Sequence, residues 1–222
     1  MTPSVTGKPA TGPMQYTIFN VPVIRDIFRL LAIIFLKMIG WHKEGSLPNI
    51  PKYVIILAPH TSNWDFPIGL AIAFALKLRG YWLGKDDLFR WPFHGFFRWL
   101  GGIPIDRARS SDVVVQMVQV FKERANLTMV LAPEGTRKKV TCWKSGFYHI
   151  ARCANVPIVL AFLDYQRKAG GVGPVFYLTG DIEADMEYIR AFYVTVTGKH
   201  PEKQCIPSLW RESSEPKRSE WV

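Results

Sequence analysis

The sequence predicts an α/β fold, a single domain built on a mostly parallel β-sheet flanked by helices. Three observations carry that prediction. Short strand-like runs alternate with longer helical patterns along the chain. Two of those runs, 53–58 (YVIILA) and 128–132 (TMVLA), are apolar almost throughout, as strands covered on both faces should be. Finally, 222 residues at 48% hydrophobic, with 8 Trp, 14 Phe and 8 Tyr, suffice for one closed core and are far too apolar for a disordered polycation.

Taken in order, residues 1–20 are rich in Pro, Thr and Gly without apolar periodicity and read as a loose leader. An apolar helix follows over 21–40, centred on 23–39 (VIRDIFRLLAIIFLKMI). At about 1.5 Å per residue that helix spans roughly 25 Å, short of the roughly 30 Å hydrocarbon core of a bilayer. Asp26, Arg29 and Lys37 fall on one side and leave a wide apolar face. That pattern fits an amphipathic helix lying in a membrane interface and equally a helix docked on the core, with a true span of the bilayer as the less favoured third reading. The late start of the apolar stretch and the absence of a small-residue cleavage site before Trp41 argue against a signal peptide.

One domain is expected over 41–197. Within it, strand 53–58 is followed by an unusually apolar helix over 67–78, a short strand at 81–83 and an amphipathic helix over 110–124. Strand 128–132, a helix over 145–154, strands at 157–163 and 175–179, and a helix over 185–193 complete it. Residues 198–222, with Pro201, Pro207 and Pro216 among Lys, Glu and Ser, read as a weakly ordered tail.

The balance of 28 Lys and Arg against 18 Asp and Glu gives a charge of +10. Such a body attracts polyanions: nucleic acid, an anionic membrane or a phosphorylated substrate. Cys142, Cys153 and Cys205 are odd in number and lack CxxC spacing, which argues against a disulfide framework or a thiolate zinc site and for a reducing compartment. His42, His60, His94, His149 and His200 are scattered, so a metal hydrolase is disfavoured and no metal is expected.

Ligands of parallel sheets bind beyond the carboxyl ends of the strands, and two polar clusters sit there. The first, Pro59-His60-Thr61-Ser62-Asn63-Trp64-Asp65, offers an imidazole to take a proton from a hydroxyl and a carboxylate to hold its other nitrogen. The two can meet if the chain turns from strand into helix, as Pro67 at a helix start suggests. Lone His and Asp residues are more often structural. The second, Pro133-Glu134-Gly135-Thr136-Arg137-Lys138-Lys139, combines close backbone approach, a hydroxyl and cationic donors for a phosphate, or is a solvated turn with a cationic rim. Arg107, in Gly101-Gly102-Ile103-Pro104-Ile105-Asp106-Arg107, is a further anion ligand or the partner of Asp106.

Their order is informative. His60-x4-Asp65, Gly102-x-Pro104-Ile105-Asp106-Arg107, Pro133-Glu134-Gly135-Thr136-Arg137 and Val156-Pro157-Ile158-Val159 resemble the four motif blocks of the glycerolipid acyltransferases, a family that includes the 1-acyl-glycerol-3-phosphate acyltransferases. The resemblance covers roughly residues 41–179 and implies a role for each matching residue. His60 would be the general base on the acceptor hydroxyl and Asp65 would orient it. Glu134, Gly135, Thr136 and Arg137 would bind the glycerol phosphate, with Arg107 helping and Lys85 as a further phosphate ligand. The donor would be acyl-CoA or an acyl-carrier protein, a co-substrate with no resident cofactor. Pro59, Ala132 and Leu160 depart from the residues the family often has there; Pro59 and Leu160 leave the His-Asp chemistry intact.

The expected activity is therefore acyl transfer to a lysophospholipid, most directly 1-acyl-glycerol-3-phosphate, in phospholipid biosynthesis or remodelling. The expected place is the cytoplasmic side of a membrane, held peripherally or monotopically. The aromatic stretch Phe89, Trp91, Phe93, Phe96, Phe97 and Trp99, with Arg90, His94 and Arg98 interspersed, suits a headgroup-level contact or ordinary core packing. Two other classes remain open: a basic membrane- or nucleic-acid-binding module without chemistry, and a lipid hydrolase or transacylase using the same histidine. No nucleic-acid motif is present, so nucleic acid is not an expected partner.

Overall fold

The computed structural model describes residues 17–105, 110–205 and 207–208. Strand β2 (Lys52–Leu57) is the centre of a seven-stranded sheet, and its alternation explains the layers on either side. Helices α4 (Ser110–Glu123), α5 (Gly146–Ala154) and α6 (Ile182–Tyr193) cover the face to which Val54 and Ile56 point. Tyr53 and Ile55 point the other way, toward α2 (Asp65–Ala75). Because both faces are covered, successive residues are apolar without a period, which is why the run reads as continuous in sequence.

Strands β5 (Leu127–Leu131) and β6 (Ile158–Asp164) lie parallel to β2 on its two sides, with Ile56 opposite both Leu131 and Leu160. Parallel strands β3 (Tyr81–Lys85) and β4 (Gly102–Ile105) extend the sheet beyond β5. On the other side β7 (Ala169–Phe176) pairs antiparallel with β6, and β1 (His42–Glu44) pairs parallel with β7. The order is β1-β7-β6-β2-β5-β3-β4, mostly parallel as expected.

Three short elements escape the sequence patterns: β1, β4 and helix α3 (His94–Trp99). Strand β7 begins at Ala169 and ends at Phe176, upstream of the expected 175–179. Its glycine-rich AGGVGPVF has no apolar period; its register comes from its neighbours. At Gly171 a β-carbon would lie 2.0 Å from the Glu44 carbonyl oxygen, so only glycine lets β1 approach.

Helix α1 (Pro22–Met38) docks on α2, burying Ala32 and Leu36 and setting Phe28 on Phe74 at 5.6 Å between ring centroids. At 100° per residue the opposite side of α1 carries Val23, Ile27, Leu30, Leu31, Ile34 and Met38, all exposed, from 45% at Ile34 to 74% at Met38. Asp26, Arg29 and Lys37 lie between the two apolar faces. No helix among the described residues is long and apolar enough to cross a membrane. The aromatic stretch is divided in the same way. Phe89 and Phe97 pack with Trp82, and Trp99 meets Phe28 edge-on, whereas Trp91, Phe93 and Phe96 are exposed.

The end of the leader is not loose: Thr17, Ile18 and Phe19 are buried, with the Phe19 ring 5.4 Å from that of Phe74. The start of the tail is likewise tied down. The His200 N–H donates to Thr61 Oγ1 and the Trp143 N–H donates to the Ser208 carbonyl. Both departures have one cause, apolar or polar anchors too sparse to give a local period. Residues 1–16, 209–222 and Arg107 lie outside the described residues.

Candidate active site

His60 follows the carboxyl end of β2, and Asp65 is the first residue of α2. Before the helix the chain makes a local exchange: the Ser62 hydroxyl accepts the Trp64 N–H, and the Asp65 carboxylate reaches back to the Ser62 N–H at 2.8 Å. This local exchange turns the chain and sets the spacing of the pair. His60 Nδ1 lies 3.1 Å from Asp65 Oδ2, at ion-pair distance but out of line for a well-formed hydrogen bond. Such contacts tighten on substrate binding. Asp65 is 1% exposed. Burial alone would raise its pKa, but the adjacent His60 imidazole and the hydrogen bonds from the Ser62 N–H and the Tyr165 hydroxyl outweigh that and hold it below the usual carboxylate range.

The second cluster follows β5, the strand beside β2. Its turn closes with the Gly135 N–H on the Ala132 carbonyl, and Gly135 has φ +66°, a left-handed conformation suited to glycine. Lys144 lies against it, since a β-carbon at Gly135 would meet the lysine stem at 3.1 Å. Glu134 is 2% exposed and points behind His60, with both carboxylate oxygens 3.2 Å from the His60 N–H. Burial pushes its pKa up, the His60 N–H partly offsets this, and Asp65 adds to the rise. The enclosed Glu134 carboxylate thus braces the loop that carries His60.

His60, Asp65, Lys85, Gly135, Thr136 and Arg137 all line one cavity of about 1640 Å³, and part of Glu134 borders it. Arg137 and Lys139 are exposed at its rim, and Lys144 also lines it. Lys85 is ion-paired with Asp87, which is also bridged by Arg90. The cavity continues between α2 and the sheet, past Leu57, Gly69, Ala73, Leu76 and Leu78. No group of three or more His, Cys, Asp or Glu side chains gathers as a metal site among the described residues.

Two site residues lacked a reading in the sequence. Lys144 sits ten residues beyond Glu134, in a stretch with no period. The Tyr165 hydroxyl donates to Asp65 Oδ1 at 2.7 Å from the turn after β6. A signal for Tyr165 was available: it follows the carboxyl end of a third buried strand, the same location as the other two clusters.

The site thus combines a histidine beside a buried carboxylate with an apolar cavity rimmed with cations. A family model described as Acyltransferase matches residues 39–161, more than half of the chain and all four motif blocks. The chain belongs to the acyltransferase family. Among curated proteins, a 1-acyl-sn-glycerol-3-phosphate acyltransferase of Streptococcus pneumoniae (strain ATCC BAA-255 / R6) is 29% identical over 121 residues, 54% of this chain and 44% of that protein. The chain thus matches less than half the length of this relative. The crystal structure of the 1-acyl-sn-glycerophosphate (LPA) acyltransferase PlsC from Thermotoga maritima shares the fold, with a TM-score of 0.56, 17% identity and 77% of each chain covered.

Proposed function

We propose that the protein transfers an acyl group from an acyl thioester to the hydroxyl of a lysophospholipid of the 1-acyl-glycerol-3-phosphate type. The observation that carries this reading is the His60–Asp65 pair where the cationic rim of the cavity meets its apolar interior. Asp65 holds the proton on Nδ1, leaving Nε2 to accept the acceptor's hydroxyl proton. The oxygen attacks the thioester carbonyl, the C–O bond forms, the C–S bond breaks, and His60 returns the proton to the departing thiolate. No acyl-enzyme is needed. Arg137, Thr136, Lys144 and Lys85 supply donors for the acceptor's phosphate or for an anionic donor. The apolar cavity beside α2 takes an acyl chain.

Membrane association belongs to the same reading. The exposed stripe of α1 and the exposed Trp91, Phe93 and Phe96 lie on adjoining elements, joined where Phe28 meets Trp99. Apolar stripes flanked by cations, with aromatics beside them, are what a headgroup layer accepts. Such a surface brings a lipid acceptor to the site without a spanning helix.

The test is release of free thiol from acyl-CoA and from acyl-carrier protein in the presence of lysolipid acceptors, with the product identified by mass spectrometry. His60→Ala is expected to lower kcat/KM by about 10²- to 10⁴-fold with an unchanged melting temperature. A wild-type protein that releases no thiol with any acceptor overturns the assignment. Product formed without a thioester would instead mark a transacylase or hydrolase.

A further inference from the structure

The buried carboxylate of Asp65 is gripped from two directions. Oδ2 accepts the Ser62 N–H and faces His60, both within its own loop. Oδ1 accepts the hydroxyl of Tyr165, 100 residues further along the chain. We infer that Tyr165 is a positioning residue for the reaction: its hydroxyl fixes the rotation of the Asp65 carboxylate and thereby the tautomer and aim of His60. The inference rests on the reading of His60 and Asp65 as the proton-transfer pair.

The phenol is held far more firmly than a turn residue usually is. Its backbone N–H donates to the Thr197 carbonyl at 2.8 Å, tying the turn to the segment after α6. Immediately before it, Asp164 is 2% exposed and accepts the N–H groups of Gln166 and Arg167 on one oxygen and Arg167 Nε on the other. Arg167 then reaches both carboxylate oxygens of Glu44 on β1. On its other side the Tyr165 ring meets the buried ring of Trp41 edge-on, with centroids 4.9 Å apart and planes at 84°. Turn, sheet edge and the segment after α1 therefore converge on one residue, whose hydroxyl donates to a carboxylate only 1% exposed.

Chemistry favours the assignment. A carboxylate oxygen buried without a donor is costly, so with the phenol removed Asp65 relieves Oδ1 by turning or by binding a proton. Either change loosens its hold on Nδ1. The charged and titratable groups that face Asp65 are His60 from its own loop, Tyr165 from the turn after β6 and Glu134 from the turn after β5. A donor withdrawn from the Asp65 carboxylate makes that carboxylate hold a proton more tightly. Burial, and then the Asp65 carboxylate, push the Tyr165 hydroxyl itself far above its ordinary range, so it stays a donor at working pH.

Tyr165→Phe tests this, because it deletes the hydroxyl and keeps the ring on Trp41. We expect kcat to fall about 10- to 100-fold, the size of losing a hydrogen bond to a charged group or an orienting partner. KM for donor and acceptor should stay within about twofold and the melting temperature should be unchanged. The acid limb of the pH–kcat profile should move to higher pH. Wild-type kcat with a wild-type acid limb overturns the inference. So does a loss of activity that tracks a lowered melting temperature with the acid limb unmoved, which marks Tyr165 as merely structural. His60→Ala is run alongside: if that variant keeps turnover, the proton-transfer reading fails whatever Tyr165→Phe does.

Discussion

The two faces of the sheet are built from alternate residues of the same strands, yet one is solid and the other hollow. Toward α4, α5 and α6, the side chains of Val54, Ile56, Met129 and Leu160 meet large partners such as Phe121, Phe147 and Tyr193. The Tyr193 hydroxyl lies 2.8 Å and 2.9 Å from the Ile56 and Ala161 carbonyls, tying β2 to β6 just behind the site. Toward α2, Ile55, Ala161 and Val172 meet a helix that turns Gly69 and Ala73 to the cavity, while its Ala71 and Ala75 pack on the α1 side. Gly69 and Ala73 leave space under α2, and the cavity also reaches Phe147 and Ile150 at the border of the opposite face, which is solid around Phe121 and Tyr193. The face around Phe121 and Tyr193 is therefore filled, and the face under α2 borders the cavity that the proposed function gives to an acyl chain.

Substitutions that treat the faces alike should give unlike results. Phe121→Ala on the solid face should lower unfolding free energy by about 3–5 kcal/mol, read from the denaturant midpoint at constant slope, with the acyl-chain preference unaltered. A cost under 1 kcal/mol would mean that this face is as loose as the other.

Gly69→Leu on the hollow face should do the reverse. A β-carbon at Gly69 meets only Leu163 and Leu57, at 3.8 Å, so a larger side chain grows into the cavity. Stability should hold or rise slightly because glycine is a poor helix former. Competition between long- and short-chain thioesters should show kcat/KM for the long chain falling by about tenfold or more while the short chain is spared. Equal losses for both chains would place the acyl group elsewhere.

The smallest effect is expected where the faces meet, at Glu134. Its folded pKa is raised above 4.5, chiefly by burial, so the protonated form is favoured in the folded state. Its contribution to stability is full below 4.5 and is lost as pH rises through the folded value. Glu134→Gln keeps an acceptor for the His60 N–H and removes that titration. The melting temperature of the variant relative to wild type should climb with pH across that window, and a constant difference would show that Glu134 does not titrate there.

Much of the architecture was legible because its determinants are local. The apolar run of β2, the short spacing of His60 and Asp65, and the order of strand and helix patterns each span a few neighbouring positions. Asp65 in particular is placed by a hydrogen bond three residues away, which is why the His60–Asp65 spacing alone carries chemical meaning. Strand β7 was misplaced because its glycines answer to Glu44, Leu163 and Ile72 instead of to one another. Helix α1 was legible as amphipathic, yet its pattern could not say that one apolar side docks on α2 while the other stays bare.

By itself, the sequence determined the α/β class, the histidine and carboxylate of the site, and the cationic turn that accompanies them. Tertiary structure decided the rest: Glu134 as a brace behind His60, Tyr165 as the second grip on Asp65, and the hollow beside α2. The reason is the strand order. Inserting β5 and β6 on either side of β2 brings positions 74 and 100 residues apart into hydrogen-bond contact, and pairing at that distance leaves no periodic mark in the chain.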